Sequence, residues 1–544
     1  MSNLANELRS IIEGDVLDEP NLLNTYSHDA SIFEVKPLVA VAPRNSEDIK
    51  ALVRFANSNI EEKISLTVRS GATDMTGGPL NDSIILDVAK YFNRILEVGD
   101  SYAITQPGVF YRDFEKATLA KNLLLPSYPA SREICTVGGM VANNAGGEKT
   151  LTYGQTKQYI QQLKVVLADG NEYEIKPLSK SELDIKIAQQ DFEGQLYRSI
   201  WELINDNQQL IEEHKPHVSK NSSGYFLWDV WDGRTFDLTK LFAGSQGTLG
   251  IITEITFRLI QPKKYSQLLV IFLHDLEYLA DVIKTVLSFK PESFESYDDK
   301  TFKLAIRFLP EFVKLLGMRN IFSLGLQFLP ELGLLFRGGI PKLVLLAEFT
   351  GDDTWEVKLR TQEAQKALKS FKIESRLVPT PQEAQKYWTI RRESFNLLRH
   401  HVKGKQTVPF IDDMVVRPEQ LPKFLPQLEK LLEPYNLTYS IAGHAGDGNF
   451  HIIPLMTVGD PKIKEIILEL SKKVYNLVLE FHGSITGEHN DGLIRSPFLK
   501  QMYGEQMYGL FEQVKKIFDP HNIFNPRKKV GASYEYAMAH IRRA

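Results

Sequence analysis

Three glycine-dense segments fall inside the first 260 residues, and no other feature restricts the fold of this chain so strongly. "RSGATDMTGG" (69–78) follows an apolar run that reads as a strand, "TVGGMVANNAGGEKTLTYGQT" (136–156) holds five glycines, and "FAGSQGTLGIITE" (242–254) holds three. Glycine lets backbone approach backbone or ligand closely, and a loop of exposed amides can cradle a phosphate. None of the three is a standard nucleotide loop. The pattern G-x-G-x-x-G is absent, and in "AGGEKT" Glu148 separates the glycine from Lys149, so the P-loop spacing fails. Three such loops so close together predict one extended ligand threaded past several backbones.

Around them, short strands alternate with helices to about residue 260. "VAVAP" (39–43) reads as a strand, and "SEDIKALVRFANSN" (46–59) as an amphipathic helix opened by a serine cap. "LKVVLADGNEYEI" (163–175) is a hairpin with Asp169-Gly170 at its tip, and "GTLGIITEITFRLI" (247–260) a β-branched strand pair. "QPKKYSQ" near 262 marks a boundary. Beyond it, "LLVIFLHDLEYLADVIKTVLSF", "KLVLLAEFTGDD" and "MVVRPEQLPKFLPQLEKLLEPY" alternate strand and helix again. The expected class is α+β. A ligand-binding domain over 1–262 divides into two subdomains near 95–100, a cap domain spans 263–500, and a C-terminal segment, 501–544, packs back on the first domain.

Composition removes several function classes. With 544 residues the chain exceeds a single core, and a formal charge of −4 gives no reason to expect nucleic acid. Its one cysteine, Cys135, excludes an internal disulfide and any Cys-ligated cluster or zinc site built by this chain alone. A metal here must use His, Asp or Glu. No apolar signal core opens the chain and no run of about eighteen uninterrupted apolar residues occurs, which makes a cytoplasmic protein the default. Residues 301–347, apolar but studded with Lys303, Arg307, Lys314, Arg319 and Arg337, leave two readings open: a helical layer or subunit contact, and peripheral contact with the inner membrane face.

"AGHAGDGNFH" (442–451) sets two histidines around turn-forming residues. A helix is incompatible with so much glycine, and a straight strand sends positions seven apart to opposite faces. A hairpin turning at Asp447-Gly448 brings His444 and His451 together. Downstream, "GSITGEHNDGLIR" (483–495) supplies Glu488 and His489, which in extended backbone point to opposite sides. His444, His451 and Glu488 form a two-histidine, one-carboxylate set with open positions, suited to zinc first, or to iron(II) or manganese(II).

Seven segments then occur in order: "RSGATDMTGG", "TVGGMVANNAGG", "YGQTKQYIQQLKVVLADG", "GSQGTLGIITE", "GHAGDGNFH", "GEHNDG" and "IFDPHNIFNP". Together they closely resemble the FAD-linked oxidoreductases of the vanillyl-alcohol-oxidase superfamily, of the D-lactate dehydrogenase, glycolate oxidase flavin subunit and D-2-hydroxyglutarate dehydrogenase type. The resemblance implies a two-subdomain FAD domain with a substrate domain over the flavin's reactive edge. Arg69, Ser70, Gly71, Ala72, Thr73, Asp74, Thr76 and Gly77 would hold FAD with Thr136, Gly138, Gly139, Asn143, Asn144, Gly146, Gly147, Tyr153 and Gly154. Ile251 and Ile252 would line its adenine or ribityl side. Some relatives tether flavin through a histidine in the first loop. Ala72 and Thr73 stand there, so non-covalent FAD is expected.

The resemblance also implies a divalent ion on His444, His451 and Glu488, with His489 as the base. Oxidation of a small D-2-hydroxy acid then sends hydride to the flavin and the hydroxyl proton to His489, while the ion chelates and acidifies the substrate hydroxyl. "YWTIRRESFNLL" (387–398) resembles the family's tryptophan-x-x-arginine segment and points to Arg391 as clamp for the substrate carboxylate, with Arg495 a weaker candidate. "PFIDDMVV" (409–416) carries Phe410 and Ile411 where the hydroxyglutarate type has a lysine, which argues against a second substrate carboxylate. Expected electron acceptors are a quinone, an electron-transfer flavoprotein, a cytochrome, a separate iron–sulfur subunit or oxygen. Three alternatives remain: a flavoenzyme of this fold acting on another alcohol or sugar acid, a metal-dependent hydrolase without flavin, and a catalytically silent membrane-docked binding subunit, motivated by residues 301–347.

Overall fold

The computed structural model describes residues 2–307, 339–401, 405–457, 460 and 462–542. Most of the 301–347 segment therefore lies outside the described residues. None of the described helices is long and apolar enough to cross a membrane.

Two sheets are built before residue 260. The first comprises β1 (Asp15–Leu17), β2 (Val39–Ala42), β3 (Leu66–Arg69) and β4 (Ile84–Asp87) in the order β1-β2-β4-β3. β2 and β3 run parallel to β4, and β1 runs antiparallel to β2. Val39, Ala40, Val41, Ile84, Ile85 and Leu86 are almost wholly buried. Continuous apolar runs of this kind belong to parallel strands covered on both faces. The helix Ser46–Ser58 packs Ile49, Leu52 and Val53 on this sheet. Its cap is Asn45 rather than the expected serine: Asn45 Oδ1 accepts from the Asp48 amide at 3.0 Å, and Ser46 is already helical.

The second sheet is antiparallel. It takes β5 (Ile95–Val98), β6 (Tyr102–Thr105), β7 (Ile160–Val166), β8 (Glu172–Ile175) and, after a small ribbon of β9 (Leu178–Ser179) and β10 (Thr235–Phe236), β11 (Ile251–Arg258). The order is β5-β6-β11-β7-β8. β7 and β8 form the expected hairpin, with Gly170 at φ +76°. The expected strand pair over 247–260 is a single strand, because Gly247 (φ +69°) and Gly250 (φ +158°) place the turns before Ile251. β11 alternates buried and half-buried residues between β6 and β7.

The third sheet has seven strands: β12 (Tyr265–Leu273), β13 (Ser293–Asp298), β14 (Leu343–Gly351), β15 (Glu374–Leu377), then, past the short β16 (Gln406–Thr407), β17 (Met414–Val415), β18 (Ile441–His444) and β19 (Asn449–Ile452). β16 pairs instead with β20 (Leu455–Met456). The order is β15-β12-β14-β13-β18-β19-β17. A mixed α+β molecule results. After the helix Leu499–Phe518 the chain returns to the first sheet: Leu66 bridges Phe524, and the Asn525 amide nitrogen donates to the carbonyls of Gly78 (3.0 Å) and Gln246 (2.6 Å).

Candidate active site

The histidine hairpin forms as its glycines demand. In β18 and β19 Ala442 lies opposite His451, so His444, two residues on from Ala442, shares a sheet face with His451. Gly448 closes the turn at φ +67°, and a Cβ there would lie 1.8 Å from the Val416 carbonyl oxygen. The result is convergence: His444 Nε2 lies 2.8 Å and His451 Nε2 3.1 Å from the same atom, Glu488 Oε1.

Each imidazole is held from behind by a buried carboxylate. His444 Nδ1 lies 2.6 Å from Glu295 Oε1, and His451 Nδ1 lies 3.1 Å from Asp412 Oδ1. Register explains both. β13 pairs Ser296 with Gly443, which sets Glu295 beside His444, and β17 pairs Met414 with Phe450, which brings the preceding aspartates to His451. Carboxylates on Nδ1 fix the tautomer that leaves Nε2 free to ligate. Glu488 Oε2 is buried with no hydrogen-bond partner among the described residues. Two converging Nε2 atoms, carboxylates behind them and an orphaned carboxylate oxygen fit a divalent cation. A tight group of Asp413, His451, Glu488 and His489 also forms here.

Glu488 and His489 do not point apart as extended backbone would require. Both of their amides donate to Asp413 Oδ2, at 2.9 and 2.8 Å, and this turns the chain. The His489 ring stacks on His451 with centroids 5.0 Å apart, and His489 Nδ1 stands 2.8 Å from Asp412 Oδ2. Burial opposes ionisation of Asp412, but the His489 and His451 imidazoles overcome it and hold the carboxyl far below the usual range. Burial likewise disfavours a charged His451, yet Asp412 and Glu488 push it up to about 10. His489 is raised too, with burial outweighed by Asp413 and Asp412.

Sequence reasoning missed Glu295, Asp412, Asp413 and Lys220. The signal for the aspartates was an acidic pair inside the buried run "VPFIDDMVV"; for Lys220 there was none. Lys220 is fully buried, 3.3 Å from Asp447 Oδ2 and 3.9 Å from Glu488 Oε2, and donates to the Gly147 carbonyl at 3.4 Å. Arg391 does reach the site, where Nε and Nη2 lie 3.1 and 3.0 Å from Glu295 Oε2. Arg495 serves otherwise: wholly buried, it donates to the carbonyls of Asn490 (3.1 Å) and Asp412 (2.6 Å).

The glycine loops meet at this same place. Ser70 Oγ lies 2.6 Å from Thr136 Oγ1, and Thr136 caps the helix Val137–Asn143 by accepting from Gly139. Asp74 Oδ1 accepts from Thr76 and Gly78, and Oδ2 takes Asn143 and Gln246 amides at 3.2 and 3.3 Å. The backbone amides of Gly71 to Met75 find no acceptor among the described residues, and Ala72 sits at φ +52° among them. Unpaired amides around a left-handed residue form a nest that fits a phosphate. Close approach explains two glycines of the second loop: a Cβ on Gly138 would lie 2.4 Å from Pro107, and one on Gly147 2.2 Å from the Tyr128 carbonyl oxygen. Asn144 (φ +51°) and Gly154 (φ +72°) turn that loop.

Other expected flavin residues have protein partners. The Arg69 guanidinium donates to the carbonyls of Thr25 and Tyr26, and Tyr153 Oη donates to Glu292 at 2.8 Å. Ile251 is fully buried in the core under the first sheet, while Ile252 is half-buried on the opposite face of β11.

Segment 487–493 joins the loops to the metal-type cluster. Asn490 Nδ2 donates to Asn143 (3.2 Å) and Gly244 (2.9 Å) carbonyls, the Gly492 amide donates to Gln246 Oε1 (2.8 Å), and the Leu493 amide to the Thr76 carbonyl (2.8 Å). A Cβ on Gly146 would stand 3.2 Å from Glu488 Oε2. All three glycine segments therefore touch the seven residues that carry Glu488 and His489.

The class of fold is that of vanillyl-alcohol-oxidase-type flavoenzymes. The chain resembles 4-ethylphenol oxidase from Gulosibacter chungangensis (TM-score 0.70, 16% identity, 97% of this chain and 96% of the other) and p-cresol methylhydroxylase (TM-score 0.68, 16%, 97% and 96%). Residues 37–176 match the FAD binding domain family, and residues 262–529 the C-terminal domain of FAD linked oxidases. The chain belongs to these FAD-linked oxidoreductases. It is 28% identical to D-2-hydroxyglutarate dehydrogenase of Pseudomonas putida over 509 residues, 92% of this chain but 49% of that protein, so it spans about half the length of that relative. It is 26% identical to glycolate oxidase subunit GlcD of Bacillus subtilis (92% and 91% covered) and 28% identical to D-lactate dehydrogenase of Archaeoglobus fulgidus (90% and 91%).

Proposed function

We propose that this protein oxidises a small D-2-hydroxy acid, D-lactate-like in size, to the 2-oxo acid. The observation that supports this reading is the contact of the segment carrying Glu488 and His489 with all three glycine loops, an arrangement that suits a proton-accepting, metal-binding cluster beside a flavin cradle. Bound FAD supplies an acceptor for the substrate's hydride, and a divalent ion, zinc foremost, supplies a Lewis acid.

The chain's own residues supply the rest. His444, His451 and Glu488 hold the ion, with Glu295 and Asp412 orienting the imidazoles. His489 Nδ1 faces Asp412 Oδ2 at 2.8 Å as an ion-pair contact, and its Nε2 receives the substrate's hydroxyl proton. Arg391 carries guanidinium N–H groups beyond those aimed at Glu295, and these bind the substrate carboxylate. The Gly71–Met75 amides hold the pyrophosphate, without a covalent tether. Burial around His444, His451 and Glu488 excludes water and strengthens each of these interactions. Electrons leave to a separate acceptor of the quinone, electron-transfer flavoprotein, cytochrome or iron–sulfur class.

Anaerobic addition of D-lactate, glycolate, D-2-hydroxyglutarate or D-malate to the yellow protein tests the reading. Bleaching of the flavin band by one of them is expected. A coloured protein bleached only by sugar acids or other alcohols moves it to a different substrate, and a colourless protein with metal-dependent hydrolase activity overturns it.

A further inference from the structure

Glu295 lies between the two substrate-binding devices of the site and belongs to neither. It sits on β13 with its side chain 2% exposed, and both carboxylate oxygens are committed. Oε1 is 2.6 Å from His444 Nδ1, while Oε2 takes Arg391 Nε at 3.1 Å and Nη2 at 3.0 Å. Burial disfavours its ionised form, but His444 and Arg391 outweigh that and hold the carboxyl below its ordinary range. One anion is thus shared between a cation that does not ligate and an imidazole that does.

We infer that Glu295 is a positioning residue that couples the carboxylate clamp Arg391 to the metal ligand His444, so that a change at either end is felt at the other. The inference rests on the reading of the site given above. Its physical basis is competition for one carboxylate. A guanidinium drawn toward a substrate carboxylate loosens its hold on Oε2, and Glu295 then becomes a stronger acceptor for His444 Nδ1–H. A stronger acceptor makes Nε2 a better donor to a cation. By linkage the effect runs both ways: an occupied metal site favours binding at the clamp by the same factor. The geometry also explains why a buried glutamate is tolerated here at all, since an unpaired one is strongly disfavoured.

The test titrates Zn²⁺ into FAD-loaded protein against a chromophoric chelator, for wild type, Glu295→Gln, Glu295→Asp, Arg391→Gln and the Glu295→Gln/Arg391→Gln double variant. Flavin content is measured in each as the control for folding. Glu295→Gln is expected to weaken zinc binding by about 10- to 100-fold with flavin retained, and Glu295→Asp, which keeps the charge, to recover part of the loss. Arg391→Gln, which alters no metal ligand, is expected to tighten zinc binding, and that shift should shrink in the Glu295→Gln background. Wild-type zinc affinity in Arg391→Gln, or an equal shift in both backgrounds, overturns the coupling while leaving the metal site standing. Absence of zinc binding in the wild type removes the metal reading and the coupling together.

Discussion

His451 and His489 stack face to face at 5.0 Å between ring centroids, and one carboxylate, Asp412, stands at the Nδ1 atom of both. The proposed metal ligand and the proposed proton acceptor thus face the same anion. Asp412→Asn should therefore damage two properties at once: weaker zinc binding by titration and slower flavin reduction by anaerobic stopped flow. Loss of only one would show that the two imidazoles are positioned independently.

His489 and His444 separate the two roles. His489→Ala should keep flavin and bound zinc yet be reduced by substrate about 10²- to 10⁴-fold more slowly, the usual contribution of a general base. His444→Ala should lose zinc as well, measured by metal analysis of the purified protein. Wild-type reduction rates in either variant remove the role assigned to it.

Gly147 has no room for a methyl group, because a Cβ would lie 2.2 Å from the Tyr128 carbonyl oxygen. Backbone must move to admit one, and the displaced loop is part of the proposed flavin cradle. Gly147→Ala should purify with depleted flavin and a lower melting temperature. Gly233→Ala, with nothing within 4 Å of its Cβ but φ at +91°, is the control for backbone strain alone and should keep its colour.

Lys220 is a fully buried cation that faces Asp447 at 3.3 Å and Glu488 at 3.9 Å. Removing one partner of a buried ion pair costs about 3–5 kcal/mol. Lys220→Met should accordingly lower the denaturant midpoint strongly, and an unchanged midpoint would mean the carboxylates take up protons at little cost.

Lys528 sets a pH dependence of stability. Burial, with Arg527 adding to it, depresses this fully buried ammonium to about 7, against the pull of Asp82, Asp29 and Asp74. Between about 7 and the unfolded value near 10.5 the unfolded chain holds a proton that the native one lacks, so stability rises with pH across that window. Lys528→Met should flatten the rise in melting temperature from pH 7 to 10. A slope identical to wild type would place its origin elsewhere.

The sequence alone determined the parts whose chemistry is local. Glycine spacing named the loops, because close approach and left-handed backbone need glycine wherever they occur. The Asp447-Gly448 turn between two histidines named the hairpin, the downstream "GSITGEHNDGLIR" named Glu488, and collinear motifs named the flavin fold. What tertiary structure decided was which groups stand behind those residues. Glu295, Asp412 and Lys220 lie 149, 39 and 268 positions from His444, His451 and Glu488 respectively. Only strand register and the packing of distant segments bring them into contact. An acidic residue in a buried strand looks the same in a sequence whether it holds an imidazole, a guanidinium or a backbone amide. The bend at Glu488–His489 was equally invisible, since it is imposed by Asp413, which precedes β17 and lies 75 residues away. Local pattern specifies which backbone shapes are allowed, but a buried charge acquires its role from the partner that the fold delivers to it.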